Sequence, residues 1–325
     1  MILHEQDSDF KDLIRLTAQH MKIREAYVEK DYWVTFLLKR ITTIPNSHLV
    51  VFKGGTSLSK AYGLIKRFSE DVDLAVIKES SMNNTTVENF IRDTSKILTK
   101  NPFEEFDEEG TTSKKGMNRR TLHKYPRTVE SSDFGPVRDK VLLELNCFDT
   151  PTPNDNKLIC SFIADFLRES GQSKSIRTYQ LESFSIKVLD YRRTFVEKIL
   201  SLTYSSFEDG SEEIGEVRAR VRHFYDLTIL MREKEIANFL KSSDFADLTK
   251  KVRSEENLSS RTKWKEKRLS TAALHSTPKK LLAKIEAVFK SDLEPMVFQA
   301  TDLPDFKDVR TAFKAISKVI KDSDL

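Results

Sequence analysis

Between residues 8 and 42, apolar side chains recur at the spacing of one helix face. Neither Gly nor Pro interrupts them, so the pattern predicts a continuous helical region. The stretch Ile44-Pro45-Asn46-Ser47 breaks it. The run His48–Phe52 then predicts a short strand leading into Gly54-Gly55, and Thr56–Ile65 predict a short helix after the turn. Asp71–Ile77 alternate as a half-buried strand does, with Val72, Leu74 and Val76 on one face. A further helix is predicted over Thr86–Lys100. Val137–Phe148 predict a strand with Val141, Leu143, Leu145 and Cys147 on one side and Leu142, Glu144, Asn146 and Phe148 on the other. Pro151–Asn156 read as a loop and Ser183–Leu189 as a fourth strand, and from Tyr191 the pattern is mostly helical. The expected organisation is a mixed α/β part over residues 1–190 and a helical part over 191–325, without internal repeats.

Composition narrows the class. Of 325 residues, 38% are hydrophobic and 21 are Phe, enough for a real core, which argues against global disorder. A net charge of +4 is too mild to imply nucleic acid by itself. The two cysteines, Cys147 and Cys160, are too few for a zinc framework. The start MILHEQDSDF has no apolar signal core, and no apolar run approaches a membrane span. A reduced, cytoplasmic protein without a membrane partner is the expectation.

The stretch that carries chemistry is Val51–Ile77, where a glycine turn precedes two aspartates. Side chains two apart on a strand point the same way, so Asp71 and Asp73 share a face with Cα atoms about 6.6 Å apart. Two carboxylates at about 5 Å repel by roughly 3 kcal/mol at an effective dielectric of 20, from which a purely structural strand gains nothing. A divalent cation reverses the sign, and Mg²⁺ favours one or two carboxylates plus substrate phosphates. Gly54 and Gly55, lacking Cβ atoms, can turn tightly and present backbone N–H groups to an anion. The helix that follows adds its positive end and the hydroxyls of Thr56 and Ser57. A phosphate cradle beside a metal clamp is the reading; taken singly, Gly-Gly is also a plain turn and Asp-x-Asp also an outward-facing strand.

These residues resemble a known family. FKGGTSLSK, Phe52–Lys60, followed by RFSEDVDL, Arg67–Leu74, is similar to the AbiEii/AbiGii-type nucleotidyltransferase toxins, a branch of the polymerase-beta-like nucleotidyltransferase superfamily. Fifteen residues separate Gly55 from Asp71, a spacer that is long for the superfamily and fits this branch. The resemblance runs on through VEKDYWVTFLLKRI, RRTFVEKILSL and RHFYDL, roughly residues 25–230. It implies an α+β fold: a polymerase-beta-like nucleotidyltransferase domain with a small mixed sheet, followed by a mainly helical C-terminal domain contributing Lys198 and Asp226. It also implies Mg²⁺ or Mn²⁺, an NTP co-substrate, a cognate antitoxin and a setting of phage defence.

The superfamily uses a third carboxylate on a later strand, and Glu144 stands in that place although many members carry Asp. As a residue, Glu144 interrupts an apolar strand, where an acid is costly unless paired or metal-bound; a satisfied edge position is the other reading. Lys198 lies on the stripe of Tyr191, Phe195 and Leu202, so it either snorkels or reaches a phosphate. The resemblance favours contact with the nucleotide. Asp226 is within one turn of Arg222 and can pair with it; the resemblance makes it a site residue that orients Lys198 or takes a proton, with His223 where some members have another Asp. Lys53, Arg67 and Ser69 are expected to support Asp71 or the phosphate, and Arg192 and Arg193 are further candidates for the role of Lys198. Lys30 and Asp31 belong to the resembling stretch without an assignable chemistry.

Two basic regions bear on the acceptor. Lys250–Lys290 hold twelve Lys or Arg against four Asp or Glu, with Trp264 inside. Ser113–Arg127 form the second, with Tyr125 able to stack on a base. Each is equally readable as a solvated surface. Together they favour an RNA acceptor, such as a tRNA 3′ end on which relatives act, over a small molecule or a protein side chain. A nucleotide-binding protein without turnover is the remaining alternative, against which the intact aspartate pair argues.

Overall fold

The computed structural model describes residues 1–325 apart from 70, 131–137, 149, 210–212, 256–263, 265 and 324. The chain divides into two units. The first comprises Met1–Gly63 and Phe68–Leu189, the second Leu64–Arg67 and Asp190–Leu325.

The first unit is built on α1 (Asp7–Met21), α2 (Glu25–Lys39), β1 (Val50–Lys53), α3 (Gly54–Lys60), β2 (Asp71–Val76) and α4 (Asn84–Leu98). It continues with β3 (Glu104–Phe106), β4 (Ser113–Lys115), β5 (Asn118–Lys124), β6 (Val141–Asn146) and β7 (Asn154–Ile159), then α5 (Phe162–Glu169), α6 (Ser173–Thr178) and β8 (Phe184–Leu189). The strands form one mixed sheet in the order β3-β5-β6-β2-β1-β8-β7, with β4 paired to β5. β2 runs parallel to β6 and antiparallel to β1. One face is apolar: Val72, Leu74, Val76, Val141, Leu143, Leu145 and Cys147 are buried together with Trp33 of α2 and Val87 and Ile91 of α4. The mixed α/β character and the alternation along β2 and β6 match the sequence-based expectation.

Two departures have physical reasons. The helical region expected over 8–42 breaks at Lys22, whose φ of 57° is left-handed. The Ile23 N–H donates to the Ala18 carbonyl at 3.0 Å, closing α1 with a lysine where glycine is usual. The charged stretches beyond α4 and the supposed loop at 151–156 contain strands β3, β4, β5 and β7, edge or near-edge elements whose polar residues mask a strand period.

Helix α2 explains the charged triplet in VEKDYW. Glu29, Lys30 and Asp31 are all buried. The Glu29 carboxylate accepts from the backbone N–H of Thr128 at 2.6 Å and of Val129 at 3.2 Å. Lys30 donates to the Arg138 carbonyl at 2.6 Å and lies over the Phe68 ring. Asp31 pairs with Lys60 of α3 and accepts from the Phe162 N–H at 2.8 Å. Burial pushes the Glu29 and Asp31 carboxyls up, and these donors oppose it. The triplet ties α2 to α3, to α5, to Phe68 and to the chain at Thr128–Val129 and Arg138, which is a structural role.

The second unit contains α7 (Tyr191–Glu208), α8 (Gly215–Arg218), α9 (Val221–Leu230), α10 (Lys234–Phe239) and α11 (Ser243–Glu255). It ends with α12 (Ala273–Ser276), α13 (Pro278–Leu293) and α14 (Phe306–Asp322). α7 packs on α9, α11 and α12, and α14 on α9, α12 and α13. The segment Leu64–Arg67 joins this unit through a bridge between Arg67 and Val297. No helix among the described residues is long and apolar enough to cross a membrane.

Candidate active site

The polar face of the sheet carries the acids. Asp71 and Asp73 alternate with buried Val72 and Leu74, so both project opposite the apolar face. In the parallel β2–β6 pair, Asp73 is the register partner of Glu144. Lys53 flanks Asp73 on β1, and Arg120 flanks Glu144 on β5. Four adjacent strands therefore present a row Lys53–Asp73–Glu144–Arg120 in which charge signs pair off at the two ends and two acids meet in the middle. Glu144 is partly exposed; it accepts from Asn146 Nδ2 at 3.0 Å and lies 3.9 Å from Arg120 Nε.

The glycine turn fixes the aspartates directly. A Cβ at Gly54 would stand 2.1 Å from Asp73 Oδ2, and Gly54 has φ +81°. Only glycine permits both the turn and the carboxylate above it. Thr56 donates its hydroxyl hydrogen to the Asp71 carbonyl, anchoring the start of β2 to α3. Ser57 donates to the Gly54 carbonyl at 2.9 Å and is fully buried. The hydroxyl hydrogens expected to meet a triphosphate are thus engaged with the backbone. In this structure Gly54 makes room for the Asp73 carboxylate, Thr56 anchors the start of β2, and Ser57 closes the turn. Ser69 lies two residues before Asp71 and is half-buried.

A second cluster forms inside the helical unit. Asp226, fully buried, accepts a fork from Arg67: Nε to Oδ1 at 2.7 Å and Nη2 to Oδ2 at 2.6 Å. Lys198 stands 2.8 Å from the same Oδ2 and 3.4 Å from His223 Nδ1. Burial alone would push the Asp226 carboxyl up. The Arg67 guanidinium, then the Lys198 ammonium, outweigh it and hold the group well below the usual carboxylate range. Burial, then the Lys198 charge, pushes His223 well down, so its imidazole is neutral at pH 7. The cluster therefore has two cations for one carboxylate. Lys198 shares the buried stripe of Phe195 and Leu202, as expected, but its amine is clamped rather than snorkelling into water. Asp226 is held by Arg67 and Lys198 rather than by Arg222. The pairing of Arg67 with a residue so far along the chain left no trace in the sequence.

Other expectations resolve differently. Arg192 pairs with Asp190 at 2.7 Å, and Arg193, buried, with Glu197 at 3.0 Å and Glu255 at 2.8 Å. Both are explained by helix packing. Tyr125 was expected to stack on a base; it is 6% exposed and stacks on Trp33 in the core, with ring centres 5.5 Å apart. Trp264 stacks on Phe207 at 5.1 Å, with the Lys267 ammonium 4.5 Å from its ring centre. Lys263 and Lys265 lie outside the described residues.

The donor set is all carboxylate oxygen, which suits a hard divalent cation. Among the described residues no three His, Cys, Asp or Glu side chains converge closely enough to enclose a metal. The fit is therefore to two protein carboxylates, Asp71 and Asp73, with the remaining positions left to substrate oxygens and water. That is the arrangement Mg²⁺ favours.

Comparison with known proteins agrees with the chemistry. The chain matches the AbiEii family, described as nucleotidyl transferase AbiEii toxin of a type IV toxin–antitoxin system, over residues 36–315. It belongs to that family and is a nucleotidyltransferase toxin. Membership brings an NTP as substrate, a divalent metal as the class's cofactor and an antitoxin as partner. Among solved structures, the chain is similar to JHP933 from Helicobacter pylori at 15% identity and a TM-score of 0.45, covering 92% of this chain and 94% of that one. It is also similar to MenT4, a nucleotidyltransferase toxin from Mycobacterium tuberculosis H37Rv, at 15% identity and a TM-score of 0.41, covering 85% and 98%. A search among curated proteins gives no match.

Proposed function

We propose that the protein transfers a nucleotidyl group from an NTP to an RNA acceptor such as a tRNA 3′ end, with Asp71 and Asp73 holding Mg²⁺ or Mn²⁺. The observation that carries this reading is the Asp73 carboxylate seated over Gly54, next to Glu144 across the strand and two residues from Asp71. Acids on neighbouring positions of one sheet face repel each other, and a divalent cation between them reverses the sign. When bound, the metal neutralises phosphate charge and aligns it for in-line displacement.

The balance of the reaction is simple. The acceptor hydroxyl oxygen forms a bond to the α-phosphorus, and the bond from that phosphorus to the bridging oxygen breaks. Pyrophosphate leaves with the electron pair, and the hydroxyl proton passes to a base. Between the two acids considered for that base, Glu144 is the better choice. Asp226 is buried and held below the usual carboxylate range by Arg67 and Lys198, which makes it a poor proton acceptor. Asp226 instead orients Lys198, whose ammonium supplies positive charge to the phosphates. Arg67 serves by pinning Asp226, and Lys53 by flanking Asp73. Gly54, Gly55, Thr56 and Ser57 hold the aspartates in place, and Ser69 supports the approach to Asp71.

The basic stretches Ser113–Arg127 and Lys250–Lys290 support a polyanionic acceptor. A cytoplasmic role in phage defence, neutralised by an antitoxin, completes the proposal. The test is to incubate the protein with each α-labelled NTP, Mg²⁺ and total RNA. Label should appear in an RNA fraction and vanish when the RNA 3′ ends are blocked by periodate oxidation. Label in protein or in a small molecule alone would redirect the reading to those acceptors. Pyrophosphate release absent under all conditions would leave a nucleotide-binding protein.

A further inference from the structure

His223 is the polar group of the Asp226 cluster that the transfer chemistry above does not use. It stands three residues before Asp226 on α9, so both side chains share the face that meets Lys198 of α7. All of these residues belong to the second unit. The Lys198 ammonium lies 2.8 Å from Asp226 Oδ2 and 3.4 Å from His223 Nδ1. An ammonium has hydrogens and no lone pair, so Nδ1 is the acceptor at that contact. Burial, then the Lys198 charge, keeps the ring neutral. Its one N–H hydrogen therefore sits on Nε2.

That hydrogen is unspent. His223 Nε2 has no hydrogen-bond partner among the described residues, and it is not one of the polar atoms sealed from solvent. The residue is only half-buried, whereas Lys198 is 6% and Asp226 0% exposed. His223 is thus the open edge of the cluster. Lys198 has two acceptors for three hydrogens, so one N–H of the ammonium is unspent as well.

Charge decides what these hydrogens suit. Of the charges that bear most on the imidazole, Lys198, Arg67 and Arg222 are cations and only Asp226 is an anion. Arg222 makes no ion pair among the described residues. An open N–H donor among excess cations gains little from a neutral ligand and most from an anionic oxygen.

Resting on the reading that Lys198 meets the nucleotide, we propose that His223 is a further nucleotide-binding residue: its Nε2–H donates to a phosphate oxygen of the NTP beside the Lys198 ammonium, while its Nδ1 holds that ammonium in place. A phosphate of the acceptor RNA offers the same oxygens, and the test separates the two sources.

Asparagine and glutamine divide the two ring nitrogens between them. The Asn side-chain oxygen can replace Nδ1 as acceptor, but its amide stops short of the Nε2 position. The Gln amide reaches that position as a donor and lacks the near acceptor. Affinities for a non-hydrolysable NTP and for a labelled RNA oligonucleotide are measured in the full-length protein, for wild type, His223→Asn, His223→Gln, His223→Leu and Lys198→Ala, with melting curves on each. NTP affinity should fall about tenfold in His223→Asn and His223→Leu, the loss of one hydrogen bond to a charged group. In His223→Gln it should stay within a few-fold of wild type. RNA affinity should not change.

The proposal requires His223→Gln to bind the NTP more tightly than His223→Asn. Equal affinities overturn it, and the reverse order leaves Nδ1 support of Lys198 as the whole role. Weakened RNA binding with unaltered NTP binding also overturns it, in favour of an acceptor phosphate. Lys198→Ala is read separately: normal NTP binding there removes the Lys198 reading, and the Gln–Asn contrast still decides the His223 donor. Should the variants fail to fold, wild-type His223 answers directly. The added NTP analogue should shift its Nε2 resonance in a nitrogen NMR spectrum, and an unmoved resonance overturns the proposal.

Discussion

Replacing Gly54 by alanine probes the link between the glycine turn and the carboxylate pair. The new Cβ would stand 2.1 Å from Asp73 Oδ2, so the carboxylate has to retreat by about 1 Å to reach even the tightest contacts side chains tolerate. The left-handed φ of +81° adds a backbone cost of about 1–2 kcal/mol for an L-residue. Gly63 is the matched control. It has φ +63°, and a Cβ there meets nothing within 4 Å. Gly63→Ala therefore carries the backbone cost alone. Gly63→Ala should lose about 1–2 kcal/mol in thermal or urea unfolding, and Gly54→Ala that amount plus the cost of displacing the Asp73 side chain. Only Gly54→Ala should lose transfer, by about 100-fold, the effect expected when a reacting group is misplaced by 1 Å. In an Asp73→Ala background the carboxylate clash is gone and only the 3.1 Å approach to the residue 73 Cβ remains, so Gly54→Ala should cost less than it does in the wild type and the two changes should be non-additive. Steady-state pyrophosphate release and equilibrium unfolding read the two quantities separately. A folded Gly54→Ala protein that transfers within a few-fold of wild type would refute the claim that Gly54 serves Asp73.

Asp71→Asn and Asp73→Asn should each abolish metal-dependent transfer while leaving circular dichroism unchanged, and loss of like-charge repulsion should leave the metal-free melting temperature equal or higher. Lys198→Ala leaves the Arg67–Asp226 pair intact and should reduce affinity for a non-hydrolysable NTP in calorimetry more than it reduces stability. Asp226→Ala leaves two buried cations facing each other and should cost about 3–5 kcal/mol in unfolding. Stability should also fall in acid. Burial lowers His123 to about 4 and His275 to about 3, so the unfolded chain takes up their protons first. Their contribution is complete above pH 6.5 and is lost below it, at about 1.4 kcal/mol per pH unit for each histidine until its folded value is reached. His275→Gln should remove its share of that slope in a series of melting curves. The Asp226 contribution runs the usual way for a depressed carboxylate: present above about pH 4 and lost only at lower pH.

The elements legible in the sequence are those with a buried face. β2 and β6 alternate because one side packs against α2 and α4, and the same alternation exposes Asp71, Asp73 and Glu144 together. α3 and the Gly54 turn were marked by glycine, although the reason for that glycine was visible only when Asp73 was seen above it. The break at Lys22 was hidden because a non-glycine residue takes the left-handed cap. β3, β4 and β7, at the edges, and β5 beside them were hidden by polar residues, since strands there need no regular apolar face. The neutral His223 and the Arg67 fork arise from contacts between segments distant in sequence, which no local period encodes. Tyr125 misled for the opposite reason: a tyrosine among basic residues looks like a base-stacking group, yet it belongs to the aromatic core around Trp33.

The proposed function rests on the aspartate pair on β2 holding the metal for transfer to RNA. Its most direct test is transfer of label from an α-labelled NTP to RNA by wild type, Asp71→Asn and Asp73→Asn, each with Mg²⁺ and with excess chelator. Labelled RNA is expected from the wild type with Mg²⁺ alone, and none from either variant or in the presence of chelator. Equal labelling by wild type and Asp73→Asn, or labelling that persists in chelator, would contradict it.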